Sequence, residues 1–120
     1  MLFRSDFVGA FTDAAAGLKV ADGFAEGVQV GPLIDEPAIA KVERHVADAL
    51  AQGAELELGG SRIEGQFFQP SVLTGVTMDM AMSCEETFGP VAGINRFTTD
   101  AEAIAIANDT PFGLSAYFYT

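Results

Sequence analysis

A chain of 120 residues is one domain at most. Its 17 Asp plus Glu against 6 Lys plus Arg give a formal net charge of -11 at pH 7. That charge argues against a nucleic-acid partner or an anionic membrane surface, both of which need clustered Lys and Arg. Hydrophobic residues make up 49% of the chain and its mean hydropathy is +0.27. Such a chain can build a core and still offer apolar surface to a partner. The sole cysteine, Cys84, excludes an internal disulfide and fits a reducing, cytoplasmic setting. One His and one Cys make no metal site by themselves, so none is expected. No apolar run approaches the ~18 residues of a membrane span, and the start Met1 to Asp6 lacks the pattern of a signal peptide.

In chain order, Ser5 or Asp6 can cap a helix running to about Lys19, with Phe7, Ala10, Phe11, Ala14 and Leu18 on one face. Val20 to Leu33, punctuated by Gly23, Gly27, Gly31 and Pro32, reads as a long ordered loop. Asp35 opens a second helix with Pro37 in its first turn, where a missing N–H costs nothing. Its predicted buried stripe is Ile39, Val42, Val46, Ala49 and Leu50; Lys41, Glu43, Arg44 and Asp48 form the wet face, and Gly53 stops it. Ala54 to Leu58 alternates as a strand does and closes on Gly59-Gly60.

Phe67 to Val76 reads as a second extended segment, with Pro70 suggesting an edge or a bulge. Thr77 to Met82 is a short Met-rich turn or helix, and Val91 to Phe97 a third strand. Thr99-Asp100-Ala101-Glu102 has the form of a capping box, starting a helix through Asn108 with Ile104 and Ala107 facing inward. Leu114 to Tyr119 reads as a last strand after the turn at Thr110-Pro111-Phe112-Gly113. Helices alternating with short apolar strands predict an α/β domain with a mixed or parallel sheet and flanking helices.

The run Glu85-Glu86-Thr87-Phe88-Gly89-Pro90 stands out. It places two carboxylates, an aromatic ring and a forced turn directly before the strand at Val91. Such a loop can present Glu86 as an acceptor for paired hydroxyls and Phe88 as a surface for a flat ring, both at one spot. Cys84 has acids for neighbours, which disfavour a thiolate, so it reads as a buried or idle thiol. His45, beside Arg44 on the wet side of its helix, reads as a surface residue without a nucleophile to serve. Met78, Met80 and Met82 read as packing filler. No phosphate-binding glycine motif is present. The residues alone therefore give no catalytic group.

Leu18 to Gly23, Gly31 to Ile34, Gly53-Ala54, Gly59-Gly60, Phe67 to Leu73, Glu85 to Pro90 and Ala107 to Leu114, in that order, resemble the aldehyde dehydrogenase superfamily. Leu18-Lys19-Val20-Ala21-Asp22-Gly23 is similar to its Leu-Lys-Val-Gly-Asp-Gly, and Gly31-Pro32-Leu33-Ile34 to its Gly-Pro-Leu-Ile. Gly53-Ala54, Gly59-Gly60 and Phe67-Phe68-Gln69-Pro70-Ser71-Val72-Leu73 resemble its Gly-Ala, Gly-Gly and Phe-Phe-x-Pro-Thr-Val-Leu passage. Glu85 to Pro90 matches its Glu-Glu-x-Phe-Gly-Pro signature, and Ala107 to Leu114 resembles its Ala-Asn-x-Thr-x-(Tyr/Phe)-Gly-Leu block. Within the family, Thr87 and the ending Ala116-Tyr117-Phe118-Tyr119-Thr120 look closest to succinate-semialdehyde dehydrogenases.

The resemblance implies that residues 1–120 are a fragment of the catalytic domain, without the coenzyme domain, the nucleophile segment or the C-terminal end. It implies a parent that oxidises an aldehyde, succinic semialdehyde being one candidate, to a carboxylic acid with NAD or NADP. In that parent a Cys thiolate attacks the carbonyl, hydride passes to the nicotinamide and water releases the acid. Glu86 would bind the ribose hydroxyls of the nicotinamide half, and Phe88 would pack near the nicotinamide. The family's nucleophile has no counterpart here, and Cys84 does not match its position. Leu56-Glu57-Leu58-Gly59-Gly60 spells the family's general-base motif but stands in the wrong context, so Glu57 is read as a strand residue. The isolated chain is expected to be inactive and to bind no cofactor by itself, and the expected assembly is a homo-oligomer. The alternative is a self-associating or subunit-docking module without catalysis.

Overall fold

The computed structural model describes residues 2–113 and 115–119, with side chains from residue 5 onward. Helix α1 (Leu2–Ala16) begins before the expected caps at Ser5 and Asp6 and ends short of Lys19. Its aromatic pair Phe7 and Phe11 stacks with ring centroids 5.8 Å apart, on the outside of the chain. The glycine-punctuated stretch that follows is an ordered loop, closed where Gln29 and Val30 both donate backbone N–H to the Lys19 carbonyl.

Helix α2 (Glu36–Ala51) is the element on which the rest is built. The Asp35 carboxylate accepts from the Ala38 N–H at 2.9 Å, satisfying one of the first-turn donors. At the other end the Gly53 N–H donates to Leu50 and the Ala54 N–H to Ala49, with Gly53 at φ 97. That is the Schellman pairing, which needs a residue tolerant of the left-handed region. Ile39, Val42, Val46 and Ala49 are buried at helical spacing. Leu50, assigned to the same stripe, is instead exposed, one step round the helix from Ala49. Asp48, assigned to the wet face, is half-buried; its carboxylate accepts from the Ala81 N–H at 2.7 Å and docks helix α3 (Ala81–Cys84).

Strands β1 (Glu55–Leu58), β4 (Ser71–Thr74) and β5 (Val91–Ile94) form one mixed sheet in the order β1-β4-β5. β1 pairs antiparallel with β4, and β4 pairs parallel with β5. Central β4 is buried at every position, as a strand covered on both faces must be. A hairpin of β2 (Arg62–Glu64) and β3 (Phe67–Phe68) packs beside it. The predicted extended segment Phe67 to Val76 is thus two strands parted at Gln69-Pro70, and β4 is interior rather than an edge. Arg62 forks onto the Glu36 carboxylate at 2.6 and 2.5 Å, tying the hairpin to the first turn of α2. The core gathers Ile39, Val42, Val46 and Ala49 of α2 with Leu33, Phe68, Leu73, Val76 and Met80. Of the Met trio, Met80 is buried and Met82 packs against the core, as filler should.

Helix α4 (Asp100–Asn108) starts as predicted, Thr99 Oγ1 accepting from the Glu102 N–H. Glu102 also accepts from the N–H and hydroxyl of Thr98, both at 2.7 Å. Ile104 and Ala107, expected inside, are exposed; Ala103 and Ile106 are half-buried instead. The predicted strand at Leu114 to Tyr119 is absent from residues 115–119, which pair with no strand and are exposed, while Leu114 lies outside the described residues. No helix among the described residues is long and apolar enough to cross a membrane.

Candidate functional site

The loop Glu85 to Pro90 leaves α3 and enters β5. Pro90 accepts from the Ser71 N–H at 2.8 Å, so the loop is joined to the N-terminal ends of both β4 and β5. Gly89 fixes its approach to α2: a Cβ built there would stand 2.6 Å from Val42 Cγ2. Only a hydrogen fits between this backbone and the helix.

The two adjacent carboxylates have different surroundings. Glu85 is committed to structure. Arg44 donates to both of its oxygens, Nη2 to Oε2 at 2.6 Å and Nη1 to Oε1 at 3.1 Å, and His45 Nε2 lies 3.3 Å from Oε2. The Arg44 hydrogen bonds, with that of His45 second, hold the Glu85 carboxyl down at about 2 from its usual 4.5. Glu86 is exposed and, among the described residues, has no hydrogen bond or ion pair.

His45 is the main correction to the sequence reading: it is fully buried. It stands three residues after Val42 and four before Ala49, on the apolar stripe rather than the wet face. Its Nδ1 lies 2.7 Å from Thr87 Oγ1, in the middle of the loop. The position could have been read from the i, i+3, i+4 spacing; the Thr87 partner, far off in sequence, could not.

Glu86 and Phe88, predicted at one spot, line different clefts. Glu86 lines a cleft of about 350 Å³ with Val76, Met82, Thr87, Gly93 and Asn95. Val91, Gly93 and Asn95 alternate onto one face of the sheet. Gly93 keeps the floor flat, since a Cβ there would meet Met82 Cε at 2.9 Å. Phe88, 73% exposed, lines a larger and more apolar cleft of about 820 Å³ with Pro32, Ile34, Pro37, Lys41 and Pro90. The loop therefore offers a free carboxylate on one side and a free ring on the other.

Cys84, expected to be buried or idle, is exposed; its thiol donates to the Met78 carbonyl at 3.1 Å. Glu57 lies in β1, as expected, and accepts from Thr74 Oγ1 at 2.7 Å. Among the described residues, no three His, Cys, Asp or Glu cluster as metal ligands would.

Glu85 makes the loop acid-sensitive. Its folded-state carboxyl titrates below the unfolded one, so its contribution is complete above the ordinary value of 4.5 and disappears as pH falls through about 2. Urea midpoints of the wild type and Glu85→Gln should differ at neutral pH and converge across that window. A gap that persists at its acid end would show that the ion pair is not the cause.

The sequence pattern of the aldehyde dehydrogenase family matches residues 3–120. The chain is 54% identical over 108 residues to the succinate-semialdehyde dehydrogenase [NADP(+)] of Escherichia coli, covering 88% of this chain and 22% of that protein. It is 51% identical over 106 residues to a glutarate-semialdehyde dehydrogenase of Pseudomonas putida, covering 88% of this chain and 22% of the relative. The crystal structure of the succinate-semialdehyde dehydrogenase from Burkholderia pseudomallei superposes with a TM-score of 0.94 at 49% identity, over 97% of this chain and 24% of that one. The 120 residues thus span less than a quarter of the length of these relatives. With the signature loop, the mixed sheet and the match along nearly its whole length in agreement, the chain belongs to the aldehyde dehydrogenase family.

Proposed function

We propose that these residues are the part of an NAD(P)-dependent aldehyde dehydrogenase that clamps the nicotinamide ribose. The observation that carries this reading is the contrast between neighbouring acids: Glu85 is tied to Arg44 and His45, while Glu86 is exposed and unpaired. An ionised carboxylate with both oxygens free is the acceptor that two adjacent hydroxyls require. Phe88, exposed on the same short loop but lining the neighbouring cleft, is proposed to border the site on its nicotinamide side. A bound NAD or NADP would supply the hydride acceptor for oxidation of an aldehyde. The chain's own contribution is to orient it: Glu86 holds the sugar, and Gly89 and Pro90 fix where the loop stands.

The nucleophile lies outside these residues. Cys84 donates its S–H to a carbonyl and sits beside two acids, the reverse of a thiolate-stabilising setting. The isolated chain is therefore proposed to be inactive and to hold no cofactor alone. The relatives' names point to a small aldehyde carrying a second, anionic end, such as succinic semialdehyde. Phe24, Ile34 and Phe118 are at least 86% exposed and give apolar surface to further protein, whether the rest of the enzyme or a second subunit of the proposed homo-oligomer.

Glu86→Gln in the complete enzyme tests the clamp. Losing a charge-assisted pair of hydrogen bonds should weaken cofactor binding by about tenfold or more. Fluorescence titration showing wild-type cofactor affinity would remove Glu86 from the site.

A further inference from the structure

We propose that His45 and Thr87 form a buried latch that positions Glu86 and Phe88, so that α2, far off in sequence, sets the geometry of the clamp. The inference rests on the assignment of Glu86 to the cofactor and adds to it the residues that hold the loop in place.

The latch stands on three observations. His45 is fully buried although its ring is polar, and a buried polar ring must find partners. Two are on the loop, Thr87 Oγ1 at 2.7 Å from Nδ1 and Glu85 Oε2 at 3.3 Å from Nε2, and the third is Arg44 Nη2, also 3.3 Å from Nε2. A hydroxyl both donates and accepts, so the Thr87 contact is satisfied in either tautomer of the ring. Thr87 lies between Glu86 and Phe88 in sequence, and Gly89 rests on Val42 one helical turn from His45. The loop is thereby held at the side chains of 85 and 87 and at the backbone of 89. With Glu85 and Thr87 both tied to α2, Glu86 between them is left exposed and, among the described residues, free of protein partners.

The contact is of the kind that positions without reacting. Thr87 and His45 touch no substrate atom in this account; they act through Glu86. Misplacing a binding group by an ångström can cost orders of magnitude in rate or affinity.

The test compares Thr87→Val, Thr87→Ser, His45→Phe and Glu86→Gln in the complete enzyme that carries these residues. Val keeps the shape of Thr without its hydroxyl, Ser keeps the hydroxyl, and Phe fills the ring site without hydrogen bonds. Thr87→Val is expected to raise the cofactor KM by about tenfold with a smaller change in kcat, and Thr87→Ser to restore most of it. Amide hydrogen exchange at residues 86–89 should quicken in Thr87→Val and in His45→Phe. Should His45→Phe fail to fold, the Thr87 pair decides. Wild-type exchange and wild-type cofactor KM in Thr87→Val would overturn the latch. Faster exchange with an unchanged KM, in an enzyme that Glu86→Gln does impair, would overturn its positioning role. Faster exchange in an enzyme indifferent to Glu86→Gln would leave the latch standing and remove the cofactor assignment instead.

Discussion

Phe68→Ala is expected to remove about 3–5 kcal/mol of stability, the usual cost of emptying a fully buried aromatic site. Phe68 is 0% exposed and is the largest of the fully buried side chains. It sits where the β2–β3 hairpin meets the core made by α2 and β4, in one cluster with Ile39, Leu73 and Met80. A loss of that size is a large share of the roughly 5–15 kcal/mol that holds a domain folded. Urea denaturation monitored by circular dichroism measures it. A loss below about 1 kcal/mol would mean that the hairpin is not seated on the core as described.

Gly89→Ala is expected to cost about 1–3 kcal/mol by overpacking. The new methyl would lie 2.6 Å from Val42 Cγ2, well inside the ~3.5 Å at which carbon atoms begin to repel. Val42 cannot step aside, because it is 1% exposed and a β-branched side chain in a helix is held to one rotamer. The loop must lift instead, taking Glu86 and Phe88 with it. A double-mutant cycle separates this clash from a general backbone effect. Val42→Ala should largely relieve the penalty of Gly89→Ala, so that the two changes combine with a strong favourable coupling. Simple additivity would place the cause elsewhere.

Much of this architecture was legible because it is local. Helix α2 announces itself through Asp35, Pro37, the apolar stripe and Gly53, and all but Leu50 of the stripe do in the structure what their chemistry requires. The same holds for the Thr99 cap of α4. What failed was decided by distant partners. Arg62 to Glu64 is too short and polar to read as a strand; it becomes one because β3 pairs with it and Glu36 holds Arg62. Leu114 to Tyr119 has strand-forming residues, yet residues 115–119 have no strand beside them, and propensity without pairing makes no sheet. Ile104 was assigned inward by period alone, whereas the side of α4 that packs is fixed by what lies next to it.

The candidate site divides in the same way. Glu86 and Phe88 were found from the signature of the loop, and their separate clefts depend on how it is threaded between α2 and β5. His45 was misassigned to the surface because its type outweighed its position. A histidine on an apolar stripe is better read as a polar group with a hidden partner.

The central place of β4 has a consequence for how the chain assembles during synthesis. Its antiparallel partner β1 emerges before it and its parallel partner β5 well after it, with α2 packed on the same core. Neither α2 nor β1 can cover its apolar side until residues 71–74 leave the ribosome, and β4 itself stays half-dressed until 91–94 follow. Parallel pairing across such a gap is entropically slow. A nascent chain paused between β4 and β5 would therefore carry an open, hydrogen-bond-hungry strand edge, the moment in its life at which this segment most needs a chaperone.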